Sequence, residues 1–284
     1  MSMEVVGVDF SSAPTRRKPI TVAIAHPSPG QVTLREILRF ESLPHWHEWL
    51  AAPAEWVGAF DFPFGLPRAF VEGQGWPLPA DAPWHELTLR VADLSRGQLI
   101  ELCRAWCDAR PVGRKFAHRA TDLLAGSSPS MKWVNPPVAL MLHAGAPCLL
   151  AAQVTIPGLH QQGTDPRRIA LEGYPGLLAR AVLGRQSYKS DDLKHRHDPT
   201  RRAARETLVL ALEAGAHPFE ARIDFGSMRH ACIDEAGADL LDAVLCLAQA
   251  TWAWHRRDRN WGLPAAIDPI EGWILGSEIA NFRS

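Results

Sequence analysis

Three acidic residues each end an apolar run of the chain and stand before residues that form turns. They are Asp9, Asp61 and Glu172. Asp61 lies between Phe60 and Phe62, and a charge in such apolar surroundings costs several kcal/mol unless it is paired, neutralised or bound to a metal. If the three runs are parallel strands, their carboxyl ends meet at one edge of a sheet. The pattern therefore predicts that these acids lie close together.

A second pair of acids begins an apolar stretch late in the chain. Asp239 and Asp242 are three residues apart, so they share one face of a helix predicted over 234–254. Several carboxylates that converge repel one another, and a bound divalent cation is the simplest way to hold them together. Because sites built only from oxygen ligands usually take Mg²⁺ or Mn²⁺, we expect one of these ions.

The acids also have structural interpretations, which the sequence leaves open. Asp9 could cap the turn that follows it, because Asp commonly accepts hydrogen bonds from nearby backbone amides. Glu172 could pair with Arg167 or Arg168. Asp239 could be an early-helix charge that the helix dipole favours.

Basic residues that could hold phosphate oxygens lie in two later stretches. The candidates are Arg114, Lys115, Arg119 and Lys189. The first three lie within 113–122, and Lys189 belongs to a charged loop predicted over 187–198. A solvated charged loop is the alternative interpretation of both stretches.

The elements that would position these residues alternate as in an α/β protein. Strands are predicted at 4–10, 19–25, 31–40, 56–60 and 168–172. The short spacing of the first three is typical of an antiparallel meander. A helix at 44–52 precedes the fourth strand, and helices at 175–183 and 200–214 follow the fifth. We interpret 68–167 as a helical insertion, because no clear strand interrupts it.

The order β-β-β-α-β, followed by more α/β units and a late helix that carries acids, resembles the RNase H-like fold. The stretch ADLLDAVLCLAQA at 238–250 is similar to the late helix of Holliday-junction resolvases. This resemblance implies a two-metal site formed by Asp9, Asp61, Asp239 and Asp242, whereas Glu172 has no counterpart in it. It implies a mixed five-stranded sheet in the order 3-2-1-4-5, with the first three strands antiparallel and helices on both faces.

Six short motifs spread along the chain resemble the family called domain of unknown function 429. They are GVDFSSA, DFPFGLP, RATD, EGYPG, SYK and DLLDA. The resemblance covers nearly the whole chain and implies a nuclease with an RNase H fold. We therefore expect a single domain over 1–284, with its core at about 4–67 and 168–276 and the helical insertion at 68–167.

These residues predict a metal-dependent nuclease or phosphodiester hydrolase that acts on nucleic acid or a nucleotide. The expected catalytic residues are Asp9, Asp61, Glu172 and Asp242. A phosphotransferase of the sugar-kinase and actin type is an alternative, but it needs a duplicated core and glycine-rich phosphate loops, which the sequence does not show. A binding protein that keeps the fold without chemistry is a further alternative.

Composition and the cysteine pattern argue against some classes of protein, namely those that coat nucleic acid, are secreted or span a membrane. The 284 residues carry a net charge of −1, which argues against coating long nucleic acid through charge alone. The five cysteines form no CxxC pair, and this favours reduced thiols in a cytoplasmic protein. The sequence shows no signal-peptide pattern at its start and no apolar run long enough to span a membrane.

Overall fold

The computed structural model describes residues 3–28, 30–190 and 198–279, so part of the loop predicted over 187–198 lies outside the described residues. The strands are β1 (Glu4–Asp9), β2 (Ile20–His26), β3 (Val32–Phe40), β4 (Trp56–Phe60), β5 (Val154–Thr155), β6 (Asp165–Glu172) and β7 (Ile223–Asp224). They form one mixed sheet in the order β5-β6-β4-β1-β2-β3-β7. The chain is therefore an α/β protein.

Helices connect and cover these strands. They are α1 (Leu43–Ala51), α2 (Arg68–Gly73), α3 (Pro83–Asp93), α4 (Arg96–Asp108), α5 (Ala120–Ala125), α6 (Val138–Ala151), α7 (Pro175–Leu183), α8 (Pro199–Ala214), α9 (Arg229–Asp234) and α10 (Asp239–Trp254). Among the described helices, none combines the length and the apolar character that crossing a bilayer requires.

The predicted count of five strands was wrong, and the complete strand order differs from the one expected. Strands β5 and β7 lie at the two edges of the sheet and contain two residues each. Runs of two residues are too short to show the alternation by which a strand is recognised in a sequence. Strand β5 also lies within 68–167, where no strand was expected. The five longer strands are neighbours in the order β6-β4-β1-β2-β3, and β1 pairs antiparallel with β2 and parallel with β4.

Apolar side chains on the two faces of the sheet form two core clusters, because successive residues of a strand point to opposite faces. Val5 and Val57 belong to the cluster that includes residues of α7, α8 and α10. Val6 and Phe60 belong to the cluster that includes residues of α1 and of the helices within 68–167. The sheet is thus covered on both faces, and the two faces present different surroundings to the residues at the strand ends.

Helix α10 packs closely against β1, and Gly7 makes this contact possible. A Cβ atom at Gly7 would lie 2.0 Å from the Ala243 carbonyl oxygen and 2.1 Å from the Leu247 nitrogen, distances that real Cβ atoms do not reach. Only glycine therefore allows the helix backbone to come this near the strand. Because Asp242 immediately precedes Ala243, the same contact places the first turn of α10 beside the end of β1.

Candidate active site

The register of two parallel strands places Asp9 and Asp61 side by side. Val8 of β1 lies opposite Phe60 of β4, and the Asp61 N–H donates to the Val8 carbonyl oxygen at 2.9 Å. Asp9 and Asp61 each follow these residues by one position, so they face the other side of the sheet, which α10 covers. The two acids therefore meet under the first turn of α10.

Helix α10 adds two further carboxylates at this edge. Asp239 and Asp242 lie in its first turn, and Asp242 is only 1% exposed. Burial raises the pKa of Asp9 well above its ordinary value, and the charges of Asp242, Asp239 and Asp61 raise it further. The four side chains are therefore close enough to repel one another. We call them the acid cluster: Asp9, Asp61, Asp239 and Asp242.

Two more members of the acid cluster have carboxyl groups that resist ionisation. Burial raises the pKa of Asp61 to about 7; Lys189 opposes this rise and Asp242 adds to it. Burial also raises the pKa of Asp239 to about 6, with a further contribution from the charge of Glu235. The charges of Lys189 and Lys18 lower the pKa of Asp61, but burial outweighs both of them. The negative charge of Asp61 is consequently only partly compensated.

Asp242 differs from the other members because two neighbouring side chains bind it. The Tyr188 hydroxyl donates to its Oδ1 at 2.6 Å, and the Lys189 Nζ lies 2.5 Å from its Oδ2. Burial would lower the pKa of Lys189, but the charges of Asp242, Tyr188 and Asp9 together outweigh this effect and raise the pKa. The Lys189 side chain is 47% exposed, so a charged ammonium reaches the acid cluster from the solvent side.

Glu172 ends its strand on the opposite face of the sheet from Asp61. In the pairing of β4 with β6, Glu172 lies opposite Phe60, one position before Asp61. Its Oε2 accepts a hydrogen bond from the Phe64 N–H at 2.9 Å, and both of its oxygens accept from Arg119, at 2.6 and 2.8 Å. The structure therefore places Glu172 outside the acid cluster, with both of its carboxylate oxygens already hydrogen-bonded.

Arg119 holds two buried carboxylates together. Its guanidinium donates to Asp122 Oδ1 at 2.8 and 3.1 Å as well as to Glu172, and the Arg119 side chain is fully enclosed. Burial would lower the pKa of Arg119, but the charges and hydrogen bonds of the two acids raise it. We call this group the arginine triad: Arg119, Asp122 and Glu172. The sequence did not identify Asp122 as a partner of Arg119, although both residues belong to the RATD motif.

The four basic residues expected to hold phosphate lie in different surroundings. Arg114 and Lys115 are exposed and are not among the described residues that line the cleft beside the acid cluster. Arg119 does border this cleft, but its guanidinium is taken up by the triad and is not available for phosphate. Of the four, Lys189 alone combines a place in the cleft with contact to the acid cluster. For the other three, phosphate binding stays a prediction that their positions do not support, because sequence spacing does not show which partners a basic residue finds.

The cleft has a volume of about 340 Å³ and lies between the loops that follow β4 and β6 and the region 127–141. Asp61 and Lys189 line it, and so does Tyr174 in the loop after β6. Gln249 of α10 fixes this loop, because its side chain accepts from the Tyr174 N–H at 2.8 Å and donates to the Tyr174 carbonyl at 2.9 Å. Gln249 was also missed, although a polar residue in the apolar run of α10 is a visible signal.

The chemistry of the acid cluster fits a divalent cation, but its side chains do not form a ready site. In the described residues, no group of three or more His, Cys, Asp and Glu side chains is arranged so that it could hold a metal ion. The oxygens are nonetheless the ligands that Mg²⁺ and Mn²⁺ prefer, and a cation would relieve the repulsion that raises the pKa of Asp9. A metal would compete with Lys189 for the Oδ2 atom of Asp242.

Comparisons of the chain with protein-family models, with curated proteins and with solved structures found no match. The resemblance of the six motifs to domain of unknown function 429 therefore stays a prediction, as does the RNase H-like fold.

Proposed function

We propose that the protein is a metal-dependent phosphodiester hydrolase whose centre is the acid cluster. The observation that carries this proposal is the group of neighbouring carboxylates at one edge of the sheet, where burial raises the pKa of Asp61 to about 7. Carboxylates that repel one another reduce the stability of a fold, and such perturbed groups are typical of functional sites. A cation from solution would compensate their charge.

In this proposal Asp9, Asp61 and Asp242 bind Mg²⁺ or Mn²⁺, and Asp239 supplies a further oxygen at the edge of the group. The bound ion would supply Lewis acidity and a water molecule of lowered pKa. Hydrolysis bonds the oxygen of water to phosphorus, breaks the ester P–O bond and leaves a proton on the departing alcohol. The acids of the chain would hold the negative charge that offsets the ion, with Asp61 deprotonated once the ion is bound.

Tyr188 and Lys189 would support this chemistry through Asp242. The Tyr188 hydroxyl fixes one oxygen of Asp242, so the carboxylate keeps its orientation when the other oxygen changes partner. Lys189 neutralises that other oxygen in the protein without a metal. When a cation takes its place, the Lys189 ammonium becomes available to bind a phosphate oxygen of the substrate.

The proposal includes an RNase H-like architecture and membership of the domain of unknown function 429 family. Support comes from the three antiparallel strands β1 to β3, the parallel strands β4 and β6, and the acids on β1, after β4 and on α10. It also includes a cytoplasmic location, for which the free state of all five cysteines is the supporting observation.

A binding protein without catalytic activity is the second candidate, and the pair of Lys189 with Asp242 favours it. If this ion pair is permanent, the ammonium is the resident cation of the site and no metal is needed. The phosphotransferase alternative has no such support, because the strands in the described ranges form a single sheet and not two copies of a core.

Hydrolysis of bis(4-nitrophenyl) phosphate with and without MnCl₂ tests the proposal. The wild-type protein should hydrolyse this diester only with metal, and Asp61→Asn should lower the rate at least about a hundredfold, since it removes a ligand charge. Asp258→Asn, which changes an exposed residue, is the matched control and should behave as wild type. Metal-independent turnover, or full activity of Asp61→Asn, would contradict the proposal.

A further inference from the structure

The cleft beside the acid cluster has room for one small ligand. Its volume of about 340 Å³ lies near the lower end of the range of about 300–1,000 Å³ that small-molecule pockets occupy. The cleft is bounded on one side by the ends of the sheet and on the other by the region 127–141. It is therefore large enough to hold one small organic ligand.

The wall that faces the strand ends is mostly apolar. It contains Pro136, Val138 and Met141, and Ser127 and Ser128 border it. On the other wall, Pro63 and Tyr174 present apolar surfaces next to Asp61 and Lys189. The lining thus combines apolar residues, which we call the apolar end (Pro136, Val138 and Met141), with the charges of Asp61 and Lys189, and it fits a ligand that has an organic group and an anionic group.

The charges of the cleft argue against a nucleic-acid polymer. A protein that follows a phosphate backbone needs a row of Lys and Arg side chains, which releases counterions on binding. Among the described lining residues the cationic side chains are Arg119 and Lys189, and the first is buried in the arginine triad. Arg114 and Lys115, the other basic candidates, do not line the cleft. The described lining therefore offers one available cation, Lys189, which can hold one phosphate next to the acid cluster.

From these three observations we propose that the substrate is a small phosphate ester of the size of one nucleotide, and that its organic group occupies the apolar end of the cleft. The phosphate lies at Lys189 and Asp61, where a bound divalent cation would offset the charge of the acids. This inference rests on the proposed function for its reaction, but the binding of the organic group depends on the cleft alone.

Binding of thymidine 5′-monophosphate and of a long single-stranded oligothymidylate, measured by calorimetry in MgCl₂, tests this proposal. The mononucleotide should bind, and the oligomer should bind no tighter and with a salt dependence close to that of one phosphate contact. Val138→Trp fills the apolar end and should weaken binding of the mononucleotide by about tenfold or more. Val112→Trp makes the same change at a site that is 90% exposed and outside the lining, and should bind as wild type.

One control measurement and one substitute variant show whether weaker binding by Val138→Trp comes from the filled cleft. Calorimetric titration with Mn²⁺ should give Val138→Trp the same metal affinity as wild type, which shows that the acid cluster is intact. If Val138→Trp does not fold, Ser128→Trp changes the same wall outside the helices.

Tighter binding of the oligomer with a steep salt dependence, or unchanged mononucleotide binding by the cleft-filling variant, would overturn the inference. Metal-dependent hydrolysis restricted to polymers would also overturn it while leaving the proposed function in place. The reverse result is also possible: the wild-type protein binds the mononucleotide, Val138→Trp does not, and no diester is hydrolysed. In that case the inference about the cleft would stand and the hydrolase proposal would fail.

Discussion

The acid cluster, in which Asp9 and Asp242 are buried and the other two acids are partly exposed, and the fully buried arginine triad lie near the same ends of β4 and β6, yet they are built in opposite ways. In the triad, Arg119 donates to both carboxylates, and the Phe64 and Ser130 N–H groups add further hydrogen bonds. In the acid cluster, burial and the neighbouring carboxylates raise the pKa of Asp9, and burial raises the pKa of Asp61 to about 7.

This difference separates a structural group from a site that can bind a ligand. A buried charge that is paired and hydrogen-bonded holds its neighbours in place, and removal of one partner leaves the other uncompensated. A buried charge that lies beside like charges stores repulsion that an incoming cation can relieve. Changes to the triad should therefore destabilise the fold, whereas loss of charge at Asp9 or Asp61 should stabilise the metal-free protein.

The largest effect is expected for Arg119→Met. The change removes the cation between Asp122 and Glu172 and should lower the free energy of unfolding by about 3–5 kcal/mol, because two buried carboxylates lose their partner. Urea denaturation measures this loss. Arg114→Met, on an exposed residue, is the control and should stay within about 0.5 kcal/mol of wild type. A loss below about 1 kcal/mol for Arg119→Met would show that the triad is not a structural anchor.

The next effect has the opposite sign. Asp61→Asn should raise the free energy of unfolding of the metal-free protein at about pH 8 by about 1–3 kcal/mol, since it removes a carboxylate whose ionised form is disfavoured by burial. Urea denaturation of both proteins in EDTA gives the difference. Glu172→Gln offers the comparison within the triad and should destabilise the fold. A destabilised Asp61→Asn would mean that Asp61 has a structural role.

The pH dependence of stability should carry the signature of the acid cluster. The pKa of Asp61 is raised from 3.8 to about 7 and that of Asp239 to about 6, so between pH 4 and 7 the folded protein binds more protons than the unfolded chain. The contribution of these two acids to the free energy of unfolding therefore falls as the pH rises through 6 and 7, whereas the lowered pKa of His160, His217 and His255 contributes with the opposite sign. The comparison with Asp61→Asn isolates the acid: from about pH 5 to about pH 8, metal-free wild-type protein should lose more stability, or gain less, than the variant. An identical pH dependence of the two proteins would be inconsistent with the raised pKa of Asp61.

The smallest effect is expected for Tyr188→Phe. This change removes the hydroxyl that donates to Asp242 Oδ1 at 2.6 Å and keeps the ring, so it should cost about 0.5–1.5 kcal/mol. Thermal unfolding detects a change of this size. The affinity for Mn²⁺ should fall slightly, because Asp242 is less well oriented. Unchanged stability and unchanged affinity would show that Tyr188 does not position this carboxylate.

The sequence was informative where a local pattern decides the geometry. Asp9 and Asp61 end parallel strands at matching positions, and the spacing of Asp239 and Asp242 puts both in one turn of α10. Such features follow from strand ends and helical periodicity. The proximity of the four acids could therefore be inferred from the residues alone.

Other parts of the site depend on register and on distant partners, which a single sequence does not contain. A shift of one residue in the register of β6 turns Glu172 away from Asp61 and toward Arg119, 53 residues earlier in the chain. The two-residue strands β5 and β7 are recognisable only through their pairing with the longer strands β6 and β3. The pairing of Lys189 with Asp242 likewise joins segments that only the folded chain brings together.

Calorimetric titration of the metal-free protein with MnCl₂ near pH 7 tests the role of the acid cluster most directly. Wild-type protein should bind Mn²⁺ and release protons, because the carboxyl group of Asp61 with its pKa of about 7 must be ionised to bind the ion. Asp61→Asn should remain folded, bind at least about tenfold more weakly and release fewer protons. Absence of Mn²⁺ binding by the wild-type protein, or equal affinity and proton release in the variant, would contradict the assignment of the acid cluster as a metal site.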